Sequence, residues 1–169
     1  SIMAAWTYTG GPKPYGYLGF GEVFVFAFFG VVATAGTTFV QDERVTALGL
    51  GVSVPVGLLA VALLLTNNLR DRPRDAVAGK KTLAVRVGDR ASRIMYVCVV
   101  VCVFLSMPYL AIVRPWALLG LAAFPLAIQP IRTVLRGAEG PALIPVLIAT
   151  SRLQLAVGLA LTVGLAASG

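Results

Sequence analysis

Residues 45–66 read VTALGLGVSVPVGLLAVALLLT and contain no charged side chain. A helix needs about 20 predominantly apolar residues to cross a bilayer, and this stretch meets that length. Its apolar residues are not confined to one helical stripe, which favours a helix that is buried or faces lipid. Four further stretches have the same character, and they lie near residues 17–40, 94–113, 115–132 and 142–167. The sequence therefore predicts an all-α fold, a polytopic transmembrane helical bundle with about five full spans and a partial one at the start of the chain.

The composition of the whole chain agrees with a membrane protein and removes several kinds of chemistry. Of the 169 residues, 58% are hydrophobic and 12% are charged, and this charged share is about half that of an ordinary soluble domain. The chain has no histidine, which excludes a Ser-His-Asp or Cys-His nucleophile system and a histidine-ligated zinc. A metal bound here would be a hard ion with oxygen ligands, which points to Mg²⁺. Cys98 and Cys102 lie in one apolar run, where we expect two small buried hydrophobic side chains rather than a metal or redox pair.

The basic residues are concentrated in one segment. Residues 67–93 contain eight Lys or Arg and three Asp, so this segment carries +5 of the net charge of +7. Loops with an excess of Lys and Arg stay on the cytoplasmic side of a membrane. We therefore expect segments 1–16, 67–93 and 132–140 in the cytoplasm, and the links at 41–44 and 114 outside. In a chain of this class the charge indicates contact with the lipid bilayer, and we expect no nucleic-acid partner.

The densest polar signal is NNLRDRPRD at residues 67–75, followed by GKKTLAVRVG at residues 79–88. Asn68, Asp71 and Asp75 are spaced three and four apart, which on a helix places three oxygen ligands on one face. Two carboxylates at this spacing repel each other unless a cation lies between them. Mg²⁺ that bridges to a diphosphate fits this arrangement, and the surrounding Arg and Lys side chains would bind the remaining phosphate oxygens.

Three alternatives stay open for this motif. Pro73 disfavours helix at the residue before it, so Asp71 and Asp75 could lie on either side of a kink rather than on one straight helix. Asn67 and Asn68 could be helix C-capping residues. The whole segment could also be an ordinary basic loop that orients the protein and contacts anionic lipid headgroups.

The spacing Asn-Asn-Leu-Arg-Asp-x-x-x-Asp-x-x-x-Gly-Lys-x-Thr-Leu-Ala-Val-Arg-x-Gly resembles the second aspartate-rich motif of the UbiA superfamily of intramembrane prenyltransferases. A second stretch, YTGGPKPYGYLGFGE at residues 8–22 with Phe-Phe-Gly at 28–30, agrees with it. The resemblance covers essentially the whole chain. The run Gly-Lys-x-Thr-Leu-Ala-Val-Arg is similar to members that act on 1,4-dihydroxy-2-naphthoate rather than on 4-hydroxybenzoate or homogentisate.

The resemblance implies a fold of nine transmembrane helices around a central cavity, with two aspartate-rich motifs beside the diphosphate. The first of these motifs is not in this chain. We therefore expect residues 1–169 to be the C-terminal part of a single intramembrane prenyltransferase domain. The N-terminal part, with the first motif, would come from the same chain or from another one.

The resemblance also implies an activity in menaquinone biosynthesis at the cell membrane. A polyprenyl diphosphate would be joined to 1,4-dihydroxy-2-naphthoate with loss of CO₂ and diphosphate, and the product would be demethylmenaquinone. Mg²⁺ is the expected cofactor. The alternatives are a related prenyltransferase with another aromatic acceptor, or a non-catalytic membrane subunit or transporter half whose basic loop binds lipid.

The expected functional residues fall into three groups. Asp71, Asp75 and Asn68 would coordinate Mg²⁺, with Asn67 in support. The expected diphosphate-binding residues are Arg70, Lys80, Lys13 and Tyr8. The expected residues of the aromatic-substrate cavity are Glu22, Tyr15 and Arg152.

Several of these residues have a second interpretation. Tyr8 and Tyr15 would also fit an aromatic belt at the membrane interface. Glu22 lies near the start of a span, where an ionisable residue is costly and marks a functional site, or it could simply hydrogen-bond a neighbouring helix. Arg152 lies within the last span and could extend to the cytoplasmic surface instead of facing the cavity.

Overall fold

The computed structural model describes residues 19–167, and every regular element among them is helical. Five helical segments are long and apolar enough to cross a bilayer. The main helices are α1 Gly21–Asp42, α2 Ala47–Val77, α3 Leu83–Ala111, α4 Phe124–Leu135 and α5 Ile144–Ala167. Two 3₁₀ segments, Pro115–Ala123 and Gly140–Leu143, lead directly into α4 and α5. The predicted all-α bundle with five spans is confirmed.

The predicted loop at residues 67–93 is wrong in its local structure. Helix α2 continues to Val77 with Pro73 inside it, and α3 already begins at Leu83. Only residues 78–82 and a break at Gly88, where φ is 82°, interrupt the helices. The apolar pattern marks where a helix would leave the bilayer, whereas the helix itself continues as long as its residues favour helical backbone.

Threonine caps and a glycine turn fix the ends of these helices. The Thr46 hydroxyl accepts a hydrogen bond from the Gly49 amide at 3.0 Å at the start of α2, and Thr82 caps α3 in the same way. Such a cap satisfies one of the amide groups that have no partner in the first helical turn. Gly79 follows α2 with a φ of 71°, a backbone conformation in which glycine is favoured. The short link 78–82 therefore turns the chain directly back into α3.

Helices α1 and α2 approach each other closely at two glycines. Residues Phe26–Val32 of α1 form a π-helical turn, and Gly30 lies within it. A Cβ atom on Gly30 would come within 2.7 Å of the Gly57 Cα atom of α2. Small residues are what allow helix backbones to pack this tightly in membrane proteins. This contact fixes α1 against α2 below the polar end of the bundle.

The core lies between α2, α3 and α5 and the 3₁₀ segment before α4. Its largest fully buried side chain is Tyr96 of α3. The Tyr96 hydroxyl and the Thr150 hydroxyl of α5 are 2.8 Å apart, so the buried polar atoms satisfy each other. Cys98 and Cys102 are both exposed on α3, so the expectation that they are buried is wrong. In a membrane helix the residues that face outward are apolar as well as those that face the core. A cysteine in an apolar run can therefore lie on either side.

Candidate functional site

Helix α2 carries the predicted oxygen ligands on one continuous helix. Asn68, Asp71 and Asp75 all lie before its end at Val77, and Pro73 does not separate the two aspartates into different helices. Residues three and four apart in a helix are neighbours on its surface. The capping alternative for the two asparagines is wrong, because α2 does not end there.

The two aspartates are each paired with a predicted diphosphate-binding side chain. The Arg70 guanidinium donates to both carboxylate oxygens of Asp71, at 2.8 Å from Nε and 2.7 Å from Nη2. The Lys80 ammonium lies 3.1 Å from Asp75. The side chains of Arg70 and Asp71 are 29% and 37% exposed, whereas that of Asp75 is only 11% exposed. An exposed ion pair such as Arg70–Asp71 contributes about 0–1 kcal/mol and separates easily.

A third predicted residue joins this cluster from α1. Asn68 Nδ2 donates a hydrogen bond to Glu22 Oε1 at 2.9 Å. Glu22 is buried, with 7% of its surface exposed, and its second oxygen, Oε2, is buried without a hydrogen-bond partner in the described part of the chain. Glu22 thus forms a hydrogen bond to a neighbouring helix, and its role in the aromatic-substrate cavity stays a prediction. Asn68, Asp71, Asp75, Arg70 and Lys80, together with Glu22, are called the α2 motif below.

The two sequence stretches that carry the family resemblance meet at this end of the bundle. A Cβ atom on Gly19, just before α1, would lie 3.0 Å from the Lys81 carbonyl oxygen and 3.1 Å from Arg86 Cδ. Arg86 Nε in turn donates to that same carbonyl oxygen at 3.2 Å. The start of α1 therefore packs against the basic segment that follows α2. Tyr8, Lys13 and Tyr15 lie outside the described residues.

Arg152 is exposed on α5 and takes no part in the α2 motif. A cavity of about 460 Å³ lies between α2 and α5, and Ser151 and Gln154 line it while Arg152 does not. The cavity role of Arg152 stays a prediction.

A second polar cluster at the same end was not singled out from the sequence. Arg93 of α3 bonds both oxygens of Asp89 and donates through Nη1 to the carbonyl oxygens of Val134, at 2.7 Å, and Ala138, at 3.0 Å. Its guanidinium thus caps the C-terminal end of α4, where carbonyl groups lack helical partners. Asp89, Arg93 and these two carbonyl groups are called the Arg93 network below. Arg72 of α2 lies 3.6 Å from Asp89 and links the network to α2.

The oxygen ligands of the α2 motif fit part of a magnesium site. Carboxylate and amide oxygens are hard donors, and Mg²⁺ is usually held by one or two carboxylates together with substrate phosphates and water. Between residues 19 and 167, no group of three or more His, Cys, Asp or Glu side chains is placed to hold a metal ion. A magnesium ion at α2 would therefore rely on the Asn68 oxygen and on a phosphate ligand as well as on the two aspartates.

Comparisons with known proteins agree with this fold and motif. The profile of the UbiA prenyltransferase family matches residues 1–147. The chain is 46% identical to 1,4-dihydroxy-2-naphthoate octaprenyltransferase of Mycobacterium tuberculosis, over 98% of this chain and 56% of the relative. The proteins of the same name from Haemophilus influenzae and Escherichia coli are 37% and 36% identical, each over 98% of this chain and 54% of the relative. No solved structure gives a significant match.

The fold and the polar motif at one end define a multi-pass helical membrane protein. The chain belongs to the UbiA prenyltransferase family. It spans about half the length of the curated relatives that it matches.

Proposed function

We propose that the protein is an intramembrane prenyltransferase that joins a polyprenyl diphosphate to 1,4-dihydroxy-2-naphthoate. The observation that carries this proposal is the α2 motif, in which both aspartates are paired with basic side chains on one helix end. The similarity to three proteins named 1,4-dihydroxy-2-naphthoate octaprenyltransferase supports the choice of acceptor. A related enzyme with another aromatic acceptor is the alternative within this class.

In the proposed reaction the bond between prenyl C1 and the diphosphate oxygen breaks, and the diphosphate leaves with the bonding electrons. Prenyl C1 forms a new bond to the naphthoate ring. The carboxylate of the acceptor leaves as CO₂. The product is the prenylated diol that is the reduced form of demethylmenaquinone.

The α2 motif supplies the charges that this leaving group requires. Asp71 and Asp75, with the Asn68 amide oxygen, would hold Mg²⁺, which when bound neutralises charge on the diphosphate. Arg70 and Lys80 now contact the aspartates. When a magnesium diphosphate is bound, we expect them to turn to its phosphate oxygens, because planar guanidinium and ammonium groups bind phosphate well.

The helical bundle would provide the water-free environment that the reaction requires. Apolar helices exclude water from an electrophilic prenyl carbon and so prevent its hydrolysis. We propose that the basic segment 67–93 lies on the cytoplasmic side of the cell membrane, since Lys and Arg are retained there. Water-soluble diphosphate would then be released to the cytoplasm.

The proposal is tested by product formation with purified protein that includes the expected N-terminal part with the first aspartate-rich motif, a polyprenyl diphosphate and 1,4-dihydroxy-2-naphthoate. We expect turnover with Mg²⁺ and none after EDTA treatment. Asp75→Asn should reduce turnover by at least about 100-fold, because the loss of a partner of a metal ligand already costs up to about that factor and Asp75 is proposed as a ligand itself. Asp42→Asn, an equivalent change at the opposite end of α1, is the control and should retain full turnover. Equal turnover of the Asp75→Asn protein would overturn the metal role of Asp75, whereas no product from the unaltered protein would favour the non-catalytic lipid-binding subunit.

A further inference from the structure

Among the described carboxylates of the α2 motif, Glu22 is the one that does not lie on α2 itself. It lies in the first turn of α1, and its Oε1 atom accepts the hydrogen bond from Asn68 Nδ2 across 46 positions of sequence. Burying a carboxylate in a membrane protein is costly, and such residues are usually functional. A link between α1 and α2 needs no charge, since the glycine contact at Gly30 and Gly57 already joins them.

The chemistry of this hydrogen bond fixes the orientation of the asparagine amide. An ionised carboxylate only accepts hydrogen bonds, so the group that Asn68 turns toward Glu22 must be its NH₂ group. The carbonyl oxygen Oδ1 is on the other branch of the amide and therefore faces away from Glu22. In residues 19–167 no hydrogen-bond donor contacts that oxygen. As far as these residues are concerned, it is available to a cation.

The second oxygen of Glu22 points to the same kind of ligand. Oε2 is buried, and no donor within the described residues satisfies it. A buried negative charge without full compensation favours a positive charge nearby. Asn68, which Glu22 contacts directly, lies on the helix face that carries Asp71 and Asp75.

We infer that Glu22 is a positioning residue that orients the Asn68 amide so that its oxygen faces the cation held with Asp71 and Asp75. The inference rests on the proposed function, because that function places the cation at the α2 motif. Glu22 itself need not touch the metal. Its effect passes through one hydrogen bond of 2.9 Å.

The test measures binding of Mn²⁺ to the detergent-purified protein in the presence of inorganic diphosphate. The readout is the electron paramagnetic resonance signal of free Mn²⁺, compared with that of the same mixture without protein. Glu22→Gln has the same shape, but its side chain can either accept from Asn68 or donate to it, so the amide loses its enforced orientation. We expect the affinity for Mn²⁺ to fall by about 10–100-fold, the usual effect of removing a partner of a metal ligand. Glu43→Gln, at the opposite end of α1, is the matched control and should bind Mn²⁺ as the unaltered protein does.

A double-mutant comparison separates orientation from general stability. In an Asn68→Asp background, Glu22 would face a second carboxylate and repel it, whereas a glutamine at 22 would donate to that carboxylate and orient it. The effect of Glu22→Gln on Mn²⁺ affinity should therefore reverse in sign in this background. A purely structural role would instead lower the unfolding temperature and leave the affinity for Mn²⁺ unchanged in both backgrounds.

The outcomes distinguish this inference from the proposed function. Suppose that Asp71→Asn weakens Mn²⁺ binding while Glu22→Gln does not. The inference is then overturned and the metal site at α2 stands. If the unaltered protein and Asp71→Asn bind Mn²⁺ equally, the proposed metal site itself is wrong, and the inference falls with it.

Discussion

Two ionic clusters lie at the same end of the bundle, yet their surroundings differ. In the Arg93 network the guanidinium side chain is only 8% exposed, and it bonds two backbone carbonyl groups as well as Asp89. In the α2 motif the Arg70 and Asp71 side chains are 29% and 37% exposed and bond only each other in the contacts described above. Breaking the first cluster would leave Asp89 and the Ala138 carbonyl group without the buried guanidinium, whereas the exposed Arg70–Asp71 pair of the second can exchange partners at little cost. The comparison suggests that the first cluster holds the fold and that the second is available to bind a ligand.

The largest effect should come from the buried cluster. Arg93→Met removes the guanidinium that donates to the Ala138 carbonyl group and, together with the Gly137 amide, to the Val134 carbonyl group, and it leaves Asp89 without its main partner. We expect a loss of about 3 kcal/mol in the free energy of unfolding, since orphaned polar groups cost about 1–3 kcal/mol each. Unfolding by denaturant in detergent micelles measures it. Arg90→Met, an exposed neighbour on α3, should change stability by less than about 0.5 kcal/mol. Equal stability of the two variants would remove the distinction between the clusters.

The exposed cluster should show the opposite pattern. Arg70→Gln breaks the pair with Asp71, and we expect the free energy of unfolding to change by less than about 1 kcal/mol. Its kcat/KM for the prenyl diphosphate should fall by about 10-fold, because one charge-assisted hydrogen bond to phosphate is lost. Steady-state kinetics with the prenyl diphosphate varied measures this. A variant that loses stability but keeps its kcat/KM would place Arg70 with the structural ions.

The smallest effect is expected for the residue between the clusters. Arg72 lies 3.6 Å from Asp89, a contact too long for a strong hydrogen bond. Arg72→Gln should therefore change the free energy of unfolding by no more than about 0.5 kcal/mol, and it should leave kcat/KM within about twofold, the factor that corresponds to that energy. Both measurements on one variant assign Arg72 to a cluster: lost stability alone joins it to the Arg93 network, and lost kcat/KM alone joins it to the α2 motif.

The sequence predicted the spans because hydropathy and length decide them. It placed Asn68, Asp71 and Asp75 on one helix face through their spacing alone, and the structure agrees. It misplaced the helix ends, since helices α2 and α3 extend well beyond their apolar stretches. Charge and hydropathy mark the edge of the membrane and carry little information on where a helix stops.

Contacts between distant residues were harder to predict. The spacing of Asp89 and Arg93, four apart, was a visible signal for an ion pair. The carbonyl groups that make Arg93 important lie 41 and 45 positions further along the chain, and no local pattern indicates them. The bond between Glu22 and Asn68 is similar, because it depends on how α1 crosses α2. The exposed cysteines show the same limit, since an apolar run does not reveal which of its faces packs inward.

The π-helical turn of α1 follows Glu22 along the helix and contains Gly30, and so it sets the direction in which Glu22 points relative to the glycine contact. Each residue of an α-helix turns the chain by about 100°, and a π-turn accommodates one residue more than an α-turn does. If the same residues formed a regular α-helix instead, Glu22 would be rotated around the helix axis by up to about 100°, the angle of one residue, while Gly30 stayed against Gly57. The π-helical turn thus sets the angle between these two positions of α1 rather than the distance between them. It lets one face of α1 pack against α2 at the glycines and another face present a carboxylate to Asn68.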